Sequence, residues 1–229
     1  MIDEVFLYRQ MCDLEGHQAL QRGMNFRMNP RYSVVLMSQR SNAPYQDRIL
    51  PDGMTIEYQG HDVQKADGAP PPKEQDQPRL TATGKLTQNG MFADAVERYR
   101  AQAAPPEVVK VYEKLLNGVW SLKGYFDLIA YRYESDGVRN VFVFELRVRD
   151  EQDIDISAPL EIRHTRLIPS EIKKEVWKRD GGKCVLCGAT QNLHFDHDLP
   201  FSRGGASITA VNIRLLCAKH NLAKSDKIE

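Results

Sequence analysis

Two short residue pairs near the C-terminus are the best equipped for chemistry. Cys184-Val185-Leu186-Cys187 is a C-x2-C knuckle, and Cys217-Ala218-Lys219-His220 supplies a C-x2-H about thirty residues later. Soft or borderline ligands in two tight pairs meet the needs of a closed tetrahedral site, so one structural Zn2+ is expected. Between the pairs lies HFDHDLPFSRGG, residues 194–205, which sets two histidines and two aspartates close together ahead of a proline turn and a glycine pair. A carboxylate beside an imidazole can hold a hard divalent ion and take a proton from water. A polar loop that happens to be rich in ligands is the other reading, and these residues alone leave both open.

The elements that must position these groups can be read from the surrounding pattern. Leu193 to Asp198 predicts one strand, Asn212 to Leu216 the returning one, and Ala218 to Lys227 a helix. A new unit starts at Pro169, where Ser170 caps a short helix carrying Ile172, Val176 and Trp177, and Gly181-Gly182 ends it just ahead of the cysteines. So small a segment has few core residues, and a metal would hold its ends together. The acidic stretch at 150–159 reads as a boundary. Upstream, YSVVLMS, MTIEYQG, GYFDLIAYRYE and RNVFVFELRV predict strands, the last two joined by a Ser-Asp-Gly turn. PPEVVKVYEKLLNG predicts a helix, with Pro106 in its first turn, an apolar stripe of Val108, Val111, Tyr112 and Leu115, and Gly118 as its stop. Asp62 to Lys85 carries four prolines and almost no apolar periodicity, so it reads as a long loop. No internal repeat is present. The expected class is α+β, with residues 1–150 as one domain, 151–168 as a linker and 169–229 as a second domain.

From Pro169 onward the residues resemble the HNH endonuclease family, whose ββα-metal unit runs DH, then P-x-S-x-G-G, then N, then L-C-x-x-H-N. The resemblance implies that Asp196 is a ligand of a catalytic Mg2+ or Mn2+ and that His197 is the general base. It implies that Asn212 braces the hairpin, and that Cys184, Cys187, Cys217 and His220 hold the structural zinc. Asn221 stands where the family's final histidine would be, a departure in which an amide oxygen faces the hard catalytic ion. Arg203, Lys219 and Lys224 are candidate contacts to DNA phosphates. His194 shares a strand face with Asp196, yet a solvated or DNA-facing histidine is as good a reading, and it is given no ligand role.

The order of elements before this unit is similar to the SET- and RING-associated (SRA) domain, a curved β-barrel with flanking helices that flips a modified cytosine out of duplex DNA. The resemblance runs over most of Arg31 to Arg149. It implies that Tyr45 and Tyr58 stack on the flipped base and that Asp47 accepts from the cytosine edge, while Gln59 takes the place of a small hydroxyl residue. The Tyr-Asp-Gly signature of that family appears here as Leu122-Lys123-Gly124. The loop at 62–85 corresponds to the family's DNA-inserting finger region. Together the two resemblances imply a modification-dependent endonuclease acting on double-stranded DNA that contains 5-methylcytosine. An unmodified or differently modified target, or binding without cleavage, are the alternatives. One methyl group in a snug niche discriminates only about 10- to 200-fold, so two pockets acting together, in a homodimer, are expected.

Composition bounds the rest. The 229 residues are 41% hydrophobic and 27% charged, a balance typical of globular chains. No apolar run reaches the roughly 18 residues of a membrane span. The early acids of MIDEVFLYRQ argue against a secretory signal, so a cytoplasmic location is expected. Net charge is zero, but from Leu160 onward there are 12 Lys/Arg against 8 Asp/Glu, so the tail that carries the candidate nuclease is the basic part. Cys12 stands apart from the other cysteines and is expected to be a buried apolar residue.

Overall fold

The computed structural model describes residues 3–20, 23–149, 167–198 and 209–224. The chain forms two compact units. One comprises Leu20–Val111 and Tyr125–Val148; the other comprises Met1–Ala19, Tyr112–Gly124 and Arg149–Glu229. The expected class holds at the level of a mixed α+β protein with a sheet core.

The larger sheet runs β2 (Met24–Asn29), β3 (Tyr32–Met37), β6 (Glu107–Leu116), β7 (Val119–Ser135), β8 (Asn140–Val148), β5 (Thr55–Gln59) and β4 (Arg48–Ile49); β1 (Val5–Leu7) pairs with β7, and α1 (Tyr8–Leu14) follows β1 directly. The β7–β8 hairpin turns at Asp136, whose Oδ1 accepts the backbone N–H groups of Val138 at 2.9 Å and Arg139 at 3.0 Å. Its strands pair from Ser135↔Asn140 down to Phe126↔Val148, with a bulge between Leu128 and Ala130. Every residue of β5 is buried. α2 (Gln88–Arg100) packs through Phe92 against Phe26 of β2 and Phe144 of β8, at centroid distances of 5.3 and 5.8 Å. Sequence patterning does not anticipate this helix, although Thr87 caps it by accepting the N–H of Gly90.

The helix expected over 106–118 is a strand, β6. Val108, Val109 and Val111 are β-branched and lose side-chain freedom in a helix, and the segment lies between β3 and β7, where both edges are paired. Gly118, expected to stop a helix, sits instead at φ +78° in the short turn from β6 to β7. The segment 62–85 is a loop as expected, with one 3-10 turn at Pro72–Glu74. Buried Arg139 holds it by donating to the carbonyls of Pro72 and Gln75 and to Asp62.

In the other unit, α3 (Ser170–Arg179) packs over the β9 (Leu193–His197) and β10 (Ile213–Cys217) hairpin, and α4 (Ala218–Lys224) follows β10 directly. Its core gathers Leu115, Ile168, Val176, Leu193, Phe195, Ile213, Leu215 and Leu216. Of the linker expected at 151–168, only Leu167 and Ile168 lie within the described residues, and both are buried. Ser170 is not the cap of α3. Pro169 holds that position, and the Ser170 hydroxyl donates to the buried carboxylate of Glu113. No helix of the described residues is long and apolar enough to cross a membrane.

Candidate functional site

The knuckle folds as the spacing requires. The N–H of Cys184 bonds the carbonyl of Ala189 and the N–H of Gly188 bonds that of Cys184, both at 2.8 Å, while Gly188 takes φ +74° to close the turn. Val185 N–H reaches the Leu215 carbonyl at 3.0 Å, fixing the knuckle to β10. The ligand atoms of Cys184, Cys187, Cys217 and His220 all lie within 4.8 Å of one another. His220 Nδ1 is 3.4 Å from both Cys184 Sγ and Cys217 Sγ, and Cys187 Sγ is 3.8 Å from Cys217 Sγ. A zinc ion about 2.3 Å from sulfur and about 2.0 Å from nitrogen sets tetrahedral edges of about 3.8 Å between sulfurs and about 3.5 Å between sulfur and nitrogen. The four residues fit that ion. Burial raises the Cys184 thiol, but backbone N–H groups of Cys217, Leu186 and Cys187 together with the His220 ring outweigh it and bring the thiol down to about 6. That favours the thiolate a metal needs.

The hairpin places the other candidates. β9 and β10 pair antiparallel, Asp196 opposite Arg214 and His197 opposite Ile213, and the carbonyl of Asn212 accepts the N–H of Asp198 at 2.8 Å to close the far end. Strand alternation puts Leu193, Phe195 and His197 on one face and His194, Asp196 and Asp198 on the other. Lys224, expected at a DNA phosphate, is buried instead. Its ammonium sits 2.5 Å from Asp196 Oδ2, donates to the His197 carbonyl, and lies 3.7 Å from Asp198 Oδ1. These oxygens converge on a single cation, the donor chemistry that a hard divalent ion takes, so the residues present fit a Mg2+ or Mn2+ as well. Asn221, half-buried, precedes Lys224 by three positions on α4 and so shares its helix face. Lys219 is exposed. Arg203 and the P-x-S-x-G-G turn lie outside the described residues.

Burial raises the Asp196 carboxyl, opposed by the Lys224 ammonium. Burial also holds His197 below the usual imidazole value, against the pull of Asp3 and Asp196. The imidazole is therefore neutral near pH 7, as a proton acceptor must be.

Sequence reasoning misses the partners that brace β9. Asp3 accepts the N–H of Phe195 through its carbonyl at 3.1 Å, so the N-terminal segment adds to the edge of β9. The Asp3 carboxylate pairs with fully buried Lys173 of α3, which also donates to Ser121 Oγ at 2.8 Å. Beside them Lys123 Nζ is 2.7 Å from Glu113 Oε2 and donates to the Ile168 carbonyl at 2.9 Å. No signal in a single sequence joins residues so far apart.

His194 is 1% exposed, and among the described residues neither ring nitrogen has a partner. Burial lowers its pKa to about 4. The unfolded chain, with a value near 6.5, binds a proton that the fold resists, so stability falls as pH drops from about 6.5 towards 4. The full loss is about 3 kcal/mol. Urea unfolding across that range should show this slope, and His194→Phe should flatten it; an unchanged slope would assign the acid sensitivity elsewhere.

In the other unit, Asp47 spends both carboxylate oxygens on backbone, accepting the N–H of Ser38 at 2.9 Å and of Gln59 at 3.1 Å, and Gln59 Oε1 accepts the N–H of Gln46 at 2.8 Å. Tyr45, half-buried, has the Lys73 ammonium 4.2 Å from its ring centroid. Tyr58 is 1% exposed and shows no open face; burial, Asp47 and Tyr45 hold its hydroxyl well above the usual value. The ring that lies parallel to Tyr45, at 6.1 Å and 8°, is that of His61, which sequence reasoning misses. Asn89 pins it through both the N–H and the carbonyl of His61, at 2.8 and 2.9 Å.

No family model matches the chain, and no curated protein does. Among solved structures the chain is similar to a SUVH5 SRA complex with methylated CHH DNA, at 18% identity and a TM-score of 0.44, covering 64% of this chain and 86% of that one. A SUVH5 SRA complex with hemi-methylated CG DNA aligns at 20% identity and a TM-score of 0.44, covering 71% and 92%. SUVH6 of Arabidopsis thaliana aligns at 18% and 0.41, covering 76% of this chain and 28% of that one.

Proposed function

We propose that the chain is a modification-dependent DNA endonuclease, a nuclease hairpin joined to a reader of 5-methylcytosine. The observation that carries the nuclease reading is the meeting of Asp196 and the His197 carbonyl on one cation, beside Asp198, in a hairpin anchored by a Cys3His cluster. Asp196 and Asn221 would hold a divalent ion, which when bound supplies positive charge to the phosphate and to the departing 3′ oxygen. His197, neutral and carried on the same strand, takes the proton of the attacking water. Asn212 closes the hairpin that aims His197, and Lys219 and Arg203 are the candidate phosphate contacts.

The reader half of the proposal is supported by a carboxylate, Asp47, grouped with Tyr45 and Gln59 on adjoining segments. A carboxylate suits a cytosine amino group and an aromatic face offsets lost stacking. His61 joins Tyr45 as a second candidate wall, in the part the sequence gives to Tyr58. The working form is a homodimer on duplex DNA, one pocket and one nuclease hairpin per chain, in the cytoplasm.

A second reading, a zinc-stabilised module that binds modified DNA without cutting it, is favoured by the Lys224 ammonium, which already neutralises Asp196. One assay separates the two. Methylated and unmethylated copies of one plasmid, incubated with Mg2+ or Mn2+, should give cutting of the methylated copy alone, with two chains per duplex in sedimentation. Cutting of both copies removes the methyl-directed part; binding without cutting selects the module.

A further inference from the structure

We propose that Lys224 is a resident cation, a positioning residue that holds the Asp196 end of the hairpin in shape before a divalent ion arrives and lowers that ion's affinity once it does. The inference rests on the nuclease reading above and gives Lys224 a role, where that reading assigns it none.

The Lys224 side chain is 3% exposed, so its charge is almost wholly withdrawn from water. An ammonium so placed is tolerated only when its donors are used. They go to Asp196 Oδ2 at 2.5 Å and to the carbonyl of His197, that is, to the side chain of one candidate and the backbone of the next. Asp198, 3.7 Å away, is held more closely by Arg214, whose Nε is 2.6 Å from its Oδ1. Lys224 is therefore a cation in direct contact with Asp196. Its helix starts at the residue after Cys217 and carries His220 four positions earlier, so the Cys3His cluster fixes where the ammonium sits. The contact also takes up one Asp196 oxygen, Oδ2. A divalent ion must then share a carboxylate with a positive charge at contact distance, and the two cations repel.

Manganese binding to the zinc-loaded full chain, measured by calorimetry, tests this without any turnover. Lys224→Met keeps the length of the side chain and removes the charge, and should tighten Mn2+ binding at least about tenfold. Lys224→Arg keeps the charge and should bind as the parent does. Asp196→Asn should abolish binding in every background, which identifies the site. Lys224→Gln, which retains a donor for the His197 carbonyl, should tighten binding in the same direction and serves if the Met variant loses zinc. Unchanged or weaker Mn2+ binding in both uncharged variants overturns the role of Lys224 while leaving the nuclease reading intact. A parent chain with no Mn2+ site sensitive to Asp196→Asn overturns the ion site, and the role of Lys224 with it.

Discussion

Protein purified without added zinc is expected to carry one zinc ion per chain, and Cys217→Ser is expected to lose both that ion and the fold of the β9–β10 unit. Structural zinc contributes about 10–16 kcal/mol of apparent binding energy in small metal-folded peptides, as much as the whole stability of many domains. Two features moderate that figure here. The unit has an apolar core reaching from Leu115 to Cys217, and a lost ligand still leaves the others. Even so, α4 follows Cys217 directly and owes the placement of His220 and Lys224 to the cluster. Zinc analysis together with circular dichroism before and after chelation gives the answer. A folded chain with no metal would overturn the centre.

The second large effect is expected from His197→Ala, with a fall in DNA cleavage of about 10²- to 10⁴-fold. His197 is 8% exposed, so a cavity will cost some stability. That cost is separable, because zinc content and DNA binding should persist. On the nuclease reading proposed above, the cleavage rate of the parent chain should also depend on pH in a definite sense. The base works only when neutral, and burial holds it below the usual value near 6.5, so activity is lost on acidification only below about pH 6.5. Cleavage retained in the alanine variant would take His197 out of the chemistry.

The Cys3His cluster was legible because its constraint is local: two residues between the members of each pair leave the chain little choice but a tight turn. The hairpin strands were legible for a similar reason, since Leu193–His197 stands between Asn192 and Asp198 and Ile213–Cys217 follows Asn212. β6 was not. Val108, Val111 and Leu115 satisfy a helical stripe and also a strand buried on both faces, and only the neighbouring strands decide between them. The ion pair between Asp3 and Lys173 was illegible in principle, because nothing in the local pattern near either residue announces the other. At the candidate base pocket, the SRA resemblance pointed to Tyr58, yet its full burial and the parallel placement of His61 are properties of packing.

The pairing of the N-terminal segment with β9 has a consequence for biosynthesis. A strand edge formed by Asp3 waits for Phe195, and the cation beside Asp196 waits for Lys224. Every residue up to Lys224 must therefore have left the ribosome before β9 gains its N-terminal neighbour and Asp196 its cation. Long-range closure of this kind also slows folding.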